Sequence, residues 1–526
     1  MKKGFIKYTA ILLILTIFSC AKRGTVDGGL KDTIAPILKM SFPENGSTNF
    51  KGNEIKLTFD EYIVLKDLNK QLIISPPMKQ NPEILPTSAS KTISIKIKDT
   101  LLSNTTYSFN FGQSIQDFNE GNAYKQFKYI LSTGSFIDSL KLNGTIKDAY
   151  NKTVDNFVSI MLYEVNEHFK DSVIYQQNPR YITNTLDSLK TFQLQNIKAG
   201  KYLLVALKDK NNNNKFDSKE EKIGFQKQFI SIPNDTVFEL ELFKEIIPTK
   251  ILKPKQISGN RIILPYQGRL KTPKISLKDK ANDLQTIVTK IADKDSLQIW
   301  YKPIKTDSLQ VIVDKEVFKI KIKEQKKDSL NFTPSHKDNL DFRDSFAITA
   351  SHPISKIDVS RIKIVNKDSV AVAFTTNYDD FTQAIKINFK KEPSERYKIK
   401  LLPNALTTYL DQKNDTLSYK ISTKNTTDYG NLRLVLKNLK SYPVIIELTN
   451  DKGKTIYSDY LEKENIPNFD LIEPAKYNIR LIYDTNKNRE WDTGNYLQKL
   501  QTEEVIYFSK TIDIRANWDV EQEWKL

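Results

Sequence analysis

The sequence predicts an all-β protein built from tandem β-sandwich domains. Apolar and charged residues alternate with period two, as in Ile93-Ser94-Ile95-Lys96-Ile97-Lys98 and Val317-Phe318-Lys319-Ile320-Lys321-Ile322-Lys323, the pattern of strands with one wet face. Clusters of Asn, Asp, Gly, Ser and Pro punctuate these runs, and amphipathic helical periodicity is scarce. At 526 residues the chain exceeds what one core organises, so several domains of about 100 residues each are expected. A hydrophobic content of 39%, with 24 Tyr and 27 Phe, supplies core material and argues against disorder.

The first element is a secretory signal over residues 1–19. Lys2, Lys3 and Lys7 form a basic start and Ala10 to Phe18 an apolar run too short to span a bilayer. It ends at Ile17-Phe18-Ser19-Cys20, which resembles the lipobox of bacterial lipoproteins, although Phe18 is bulkier than that pattern usually carries. The resemblance implies cleavage before Cys20 and acylation at Cys20, where each buried CH₂ contributes about 0.8 kcal/mol to a membrane anchor. Cys20 is the only cysteine, which excludes a disulfide or a thiolate metal site within one molecule. Cleavage takes three lysines and no acids from a net charge of +17, leaving +14. Export argues against nucleic acid as partner and leaves a solvated basic surface, anionic lipid headgroups or acidic polysaccharide.

Residues 20–32, with Gly24, Gly28 and Gly29, read as a lipidated tether. Residues 33–134 resemble the bacterial Ig-like domain of S-layer-type proteins, in Asp32-Thr33-Ile34-Ala35-Pro36, Phe42-Pro43-Glu44-Asn45-Gly46 and Ile55-Lys56-Leu57-Thr58-Phe59-Asp60-Glu61-Tyr62-Ile63, and again in Leu101 to Phe109 and Leu131-Ser132-Thr133. That resemblance implies a spacer or adhesion module without catalytic residues. Residues 138–245, opening at Gly144-Thr145-Ile146-Lys147-Asp148, resemble the transthyretin-like or carboxypeptidase-regulatory type of sandwich. Residues 246–332 are strand-rich and of no recognisable type. Residues 333–425 echo the Ig-like domain and residues 426–526 the transthyretin-like one, with Ala475-Lys476-Tyr477 paralleling Ala199-Gly200-Lys201-Tyr202. A pair duplicated around a central β domain is the expected plan.

Two loops carry the sharpest local chemistry. Asp209, Asn211, Asn213 and Asp217 in the first, and Asp484, Asn486, Asn488 and Asp492 in the second, share the pattern D-x-N-x-N-x-x-aromatic-D. Oxygens at positions 1, 3, 5 and 9 of a tight loop can converge on Ca²⁺, and Glu220 stands at position 12 of the first loop, where a bidentate carboxylate is wanted. The second loop has the poorer ligand Asn495 there, and position 6, which favours Gly, carries Asn214 and Arg489. The alternative is hairpin chemistry, since Asn and Asp bond their own backbone and tolerate left-handed conformations. In that reading Phe216 and Trp491 plug the core.

Asp-Ser or Asp-Thr before Ile, Leu or Val recurs at Asp32, Asp138, Asp187, Asp295, Asp368 and Asp415. It resembles the O-glycosylation acceptor of exported Bacteroidetes proteins, and it is equally ordinary turn chemistry. His168, His336 and His352 are widely separated, each expected on a surface or loop, and no nucleophile elbow or phosphate-cradling loop occurs. No catalytic residue is therefore assigned and the chain is read as a non-enzyme. The reading that results is an outer-membrane lipoprotein of a Bacteroidetes-like envelope, facing the periplasm rather than the cell surface. It acts as a scaffold or protein-binding module accessory to assembly or secretion, with surface carbohydrate binding or adhesion as the rival.

Overall fold

The computed structural model describes residues 32–186, 190–270, 273–280, 282–326 and 328–526. The signal segment, Cys20 and nearly all of the tether lie outside the described residues, as does the Asp187-Ser188-Leu189 motif. Strands make up 48% of the chain and helices 3%, and the chain is a tandem of β-sandwiches as the alternation predicts.

In the first unit, Leu38–Phe42, Glu54–Leu65, Ser90–Lys96 and Glu83–Leu85 pair in that order, and Ile115–Asp117 pairs with the far end of Glu54–Leu65. The facing sheet runs Ile73–Ser75, Thr106–Asn110, Lys128–Ser132. Period two turns Ile55, Leu57, Ile93 and Ile95 inward against Phe109, Tyr129 and Leu131, leaving Lys56, Ser94 and Lys96 outside.

The fourth unit repeats this topology strand for strand. Its sheets run Phe332–Pro334, Phe346–Ala350, Ala384–Phe389, Phe374–Asp379 and Ile362–Val365, Arg396–Leu401, Leu417–Ser422, with Ile354–Ile357 pairing Leu406–Thr408. Side-chain chemistry repeats as well. Tyr107 Oη accepts from the Leu102 N–H at 2.9 Å and Tyr397 Oη from that of Glu392 at 2.7 Å. Thr133 Oγ1 and Thr423 Oγ1 each accept from a backbone N–H 28 residues earlier, at Thr105 (2.9 Å) and Glu395 (3.1 Å).

The second and fifth units share another topology. In the second, Tyr181–Asn184, Ser159–Glu164, Gly200–Lys208 and Lys222–Phe225 face Thr191–Ile197, Leu140–Asp148 and Val237–Leu242. In the fifth, Thr455–Leu461, Val444–Thr449, Ala475–Tyr483 and Val505–Tyr507 face Asn468–Ile472, Gly430–Lys437 and Asp519–Lys525. In both units the last strand runs parallel to the first. Both also keep a tyrosine corner: Tyr202 Oη donates to Lys198 O and Tyr477 Oη to Glu473 O, and each ring lies 5.9 Å from a second tyrosine, Tyr181 or Tyr457. The third unit has its own order, with Arg261–Gln267 and Ser296–Tyr301 central in one sheet and Ile275–Asp279 and Ser308–Val313 central in the other.

Gly144 shows how tightly the parallel pair is set. It sits opposite Phe192 on one side and Phe238 on the other, and a Cβ there would come within 2.2 Å of the Phe192 ring and 2.4 Å of the Phe238 carbonyl oxygen. Gly144→Ala is expected to destabilise the second unit by about 1–3 kcal/mol. The check is a calorimetric scan of the full chain, in which one transition should move down by several degrees. An unchanged scan would mean the sheet relaxes freely at this point.

Candidate functional site

The two Asp/Asn loops close by the same hydrogen bonds. In the first, Asp209 accepts from the Asn213 and Asn214 N–H groups at 3.3 and 2.7 Å, and Asn211 and Asn213 accept from Asn213 and Lys215. In the second, Asp484 accepts from Asn488 and Arg489 at 3.1 and 2.8 Å, and Asn486 and Asn488 accept from Asn488 and Glu490. Positions 4 and 6 are left-handed in both, at Asn212 and Asn214 and at Lys487 and Arg489. Asn suits that conformation, while Lys and Arg accept its strain.

A buried glutamate locks each loop. Glu221 accepts from the Lys210 and Asp217 N–H groups at 3.0 and 2.9 Å, and Glu503 accepts from Thr485 and Asp492 at 2.6 and 3.1 Å. Burial pushes the Glu221 carboxyl above its ordinary range. Glu220, which the spacing singled out, instead points to solvent and faces Lys210 at 3.8 Å. Spacing could not reveal the equivalence, because Glu221 follows Asp209 by 12 residues and Glu503 follows Asp484 by 19. Asn495 is not a position-12 partner of its own loop: its N–H bonds Leu500 O and its side chain accepts from Gln498.

As Ca²⁺ donors the two loops differ. In the second, Asn486 and Asn488 both donate side-chain amides to Asp492 Oδ2 at 2.6 Å, so positions 3, 5 and 9 converge. A hard cation there requires both amides to turn their oxygens inward, at the loss of the N–H bonds those oxygens accept. In the first loop Asp217 instead accepts from the Lys219 N–H. Among the described residues no group of three or more His, Cys, Asp or Glu side chains is arranged to hold a metal.

Each loop also sits at a contact between units. Asn212 and Asn214 line two clefts between the first and second units, about 830 and 590 Å³. The longer second loop reaches into the second unit. Tyr496 is fully buried against Phe225, Phe243 and Tyr175, its N–H bonds Glu245 Oε1 at 2.6 Å, and Lys499 pairs with Asp171 at 2.5 Å. Gly494 is obligatory there, since a Cβ would meet the Phe243 ring at 2.6 Å. Burial, with Asp171 nearby, holds the Tyr496 phenol above its ordinary range.

The centre of this union is Arg480, whose side chain is 0% exposed. Its guanidinium bonds Glu447 at 2.6 Å within its own unit and Tyr150 Oη at 2.8 Å across the contact, and lies 3.8 Å over the Tyr150 ring. Tyr507 and Thr455 take further N–H groups at 3.0 Å. Burial opposes the charge, but Glu447 and the two phenols outweigh it and hold Arg480 above its ordinary value. Sequence reasoning missed this residue, because Arg480 occupies a strand position like any other.

The histidines divide. His168 is exposed. His336 lies between Ser335 Oγ (2.8 Å) and Asp344 (3.2 Å), but Ser335 also accepts from Ala347 N–H, so the group holds a turn. His352 lies in the loop between Phe346–Ala350 and Ile354–Ile357, as expected of a loop residue, but is buried there. It is 1% exposed and packs on Trp300 of the third unit, centroids 5.0 Å apart, because the fourth unit docks on the third there. Burial holds its imidazole below the ordinary value, with Asp328 opposing and Arg261 adding to that effect.

Comparison with known proteins bears on the first unit. Residues 32–133 match the family of bacterial Ig-like domains. No curated protein matches the chain. Among solved structures, the surface layer protein SbsC, domains 1–6, is 11% identical, covering 91% of this chain and 67% of that one at a TM-score of 0.16. The I9–I11 tandem of titin is 12% identical over 52% of this chain and 100% of that one, at 0.13. The major pilin subunit BcpA of Bacillus cereus is 10% identical over 73% and 99%, at 0.14. Likeness at these scores carries nothing over to this chain.

Arg480→Met should cost about 3 kcal/mol or more by leaving Glu447 buried and uncompensated. It should also free the second unit from the fifth, read as a larger radius of gyration in small-angle scattering; unchanged size and stability would place the union elsewhere. For His352 the lowered value means that stability is present above the unfolded pKa of 6.5 and falls as pH drops below it. Denaturant midpoints should decline from pH 7 to 5, less steeply in His352→Phe, and parallel profiles would exclude His352 as the group responsible.

Proposed function

We propose that this chain is a non-catalytic lipoprotein of the outer membrane, anchored through Cys20, that serves as a scaffold and protein-binding module for other envelope components. The observation that carries the reading is the Arg480 union. It joins two units that are distant in sequence and so makes one stiff body of the second to fifth units. A stiff body holds partners at set distances, which flexible tandem domains do not. The same reading takes the partners to be proteins of an assembly or secretion machine, with the body on the periplasmic face.

The test is chemical crosslinking and pull-down of tagged native protein from outer membranes, with protease shaving of whole cells in parallel. Stoichiometric recovery of assembly or secretion components, together with resistance to shaving, is the expected result. Protein recovered alone and cut by protease on intact cells would overturn this reading in favour of surface glycan binding or adhesion.

A further inference from the structure

One sheet of the fourth unit carries a cluster of unpaired cations on its outer face. Lys363, Arg396, Lys398, Lys400 and Lys420 share the outward face of the sheet whose inward residues Ile364, Tyr397, Ile399 and Ile421 fill the core. Register places Lys363 directly opposite Lys400 and Lys398 directly opposite Lys420. Like charges in opposed positions repel. None of the five forms an ion pair among the described residues, whereas the fifth unit sets Arg433 against Glu521 at 2.9 Å and Lys437 against Glu523 at 2.7 Å.

The chain contains its own control for this face. In the first unit the same registers place Ile73 opposite Asn110 and Ser108 opposite Ile130, so four lysine positions are neutral. There the sheet meets the second unit, with Ile182 N–H donating to Ser75 Oγ at 3.1 Å and Lys128 reaching Gln195 at 3.0 Å. In the fourth unit the corresponding positions are cationic and, apart from half-buried Lys400, exposed. A groove of about 380 Å³ crosses the face between Lys367, Arg396, Lys398 and Lys420, with Ser369 and Ser422 in its wall and Asp338 as its one carboxylate.

We propose that this face binds a linear polyanionic polysaccharide bearing carboxylate or phosphate groups. Cations recur about every 6.8 Å along a strand and about 4.8 Å between strands, a lattice that meets charges repeating along a chain. The serine hydroxyls and the Asn366 side chain beside the groove suit sugar hydroxyls. Tyr397, which also lines the groove, is buried in the core, and among the described residues of these three strands no aromatic side chain points outward to stack on bases or enter a bilayer, which disfavours nucleic acid and lipid. An anionic occupant would also relieve the cross-strand repulsion.

The experiment measures binding of the full chain to fluorescein-labelled alginate by anisotropy, beside neutral dextran, phosphatidylglycerol vesicles and duplex DNA. Wild type should bind alginate and not dextran, more weakly as salt rises, and K398Q/K420Q should weaken binding by about tenfold. The double variant should melt no lower than wild type, because it loses only a repulsive pair, and K319Q/K321Q on the third unit should bind as wild type does. Absence of alginate binding, equal binding by K398Q/K420Q, or tighter binding of vesicles or DNA through the same lysines would overturn the proposal.

Discussion

A guanidinium with no exposed surface is stable only where every N–H finds an acceptor and its charge finds a counter-charge. Arg480 meets that condition with partners from two units, Glu447, Thr455 and Tyr507 from the fifth and Tyr150 from the second. Neither unit alone completes the set. The two are therefore held together, and the rest of the arrangement follows: Tyr496 enters the second unit's aromatic cluster, Arg269 of the third unit reaches Glu490 and Asp492 of the second loop, and Tyr429 and Arg343 tie the fourth unit to the fifth. With Tyr409 bonding Gln285 O between third and fourth, the second to fifth units form a closed circuit.

Two topologies each occur twice along the chain, and the like units differ in the surfaces they bury and expose. The first and fourth units keep one topology, yet the sheet face that the first turns to its neighbour is left bare and basic in the fourth. The second and fifth units keep another, with the same Asp/Asn loop and the same buried glutamate. The shorter first loop borders the Ig-like domain, and the longer second loop plugs the opposite copy. Inward positions are held by packing, while outward ones change with little effect on the core.

Much of the fold was legible because a strand's side-chain period is local. Alternation at Ile93 to Lys98 predicted which residues point inward, and the parallel between Ala199-Gly200-Lys201-Tyr202 and Ala475-Lys476-Tyr477 marked strands that hold the same place in two like topologies. The site was legible only in part. The loop residues Asp209, Asn213, Asp484 and Asn488 bond their own backbone, an outcome that Asn and Asp chemistry allows. But reading position 12 by count led to Glu220, whereas the buried acid is its neighbour Glu221, since a one-residue step separates a solvent-facing side chain from an inward one.

What the sequence by itself determined was the class of fold, the turn chemistry and the recurrence of its units, all set by short-range pattern: period two, left-handed Asn positions, and repeated strings of residues. What only the tertiary structure decided was which surfaces meet. Arg480, His352 and Tyr496 have no local signature, because their burial comes from residues tens to hundreds of positions away. Whether Lys398 and Lys420 repel or lie apart likewise depended on strand register. Burial and charge pairing are properties of neighbours in space, and a one-dimensional pattern does not contain them.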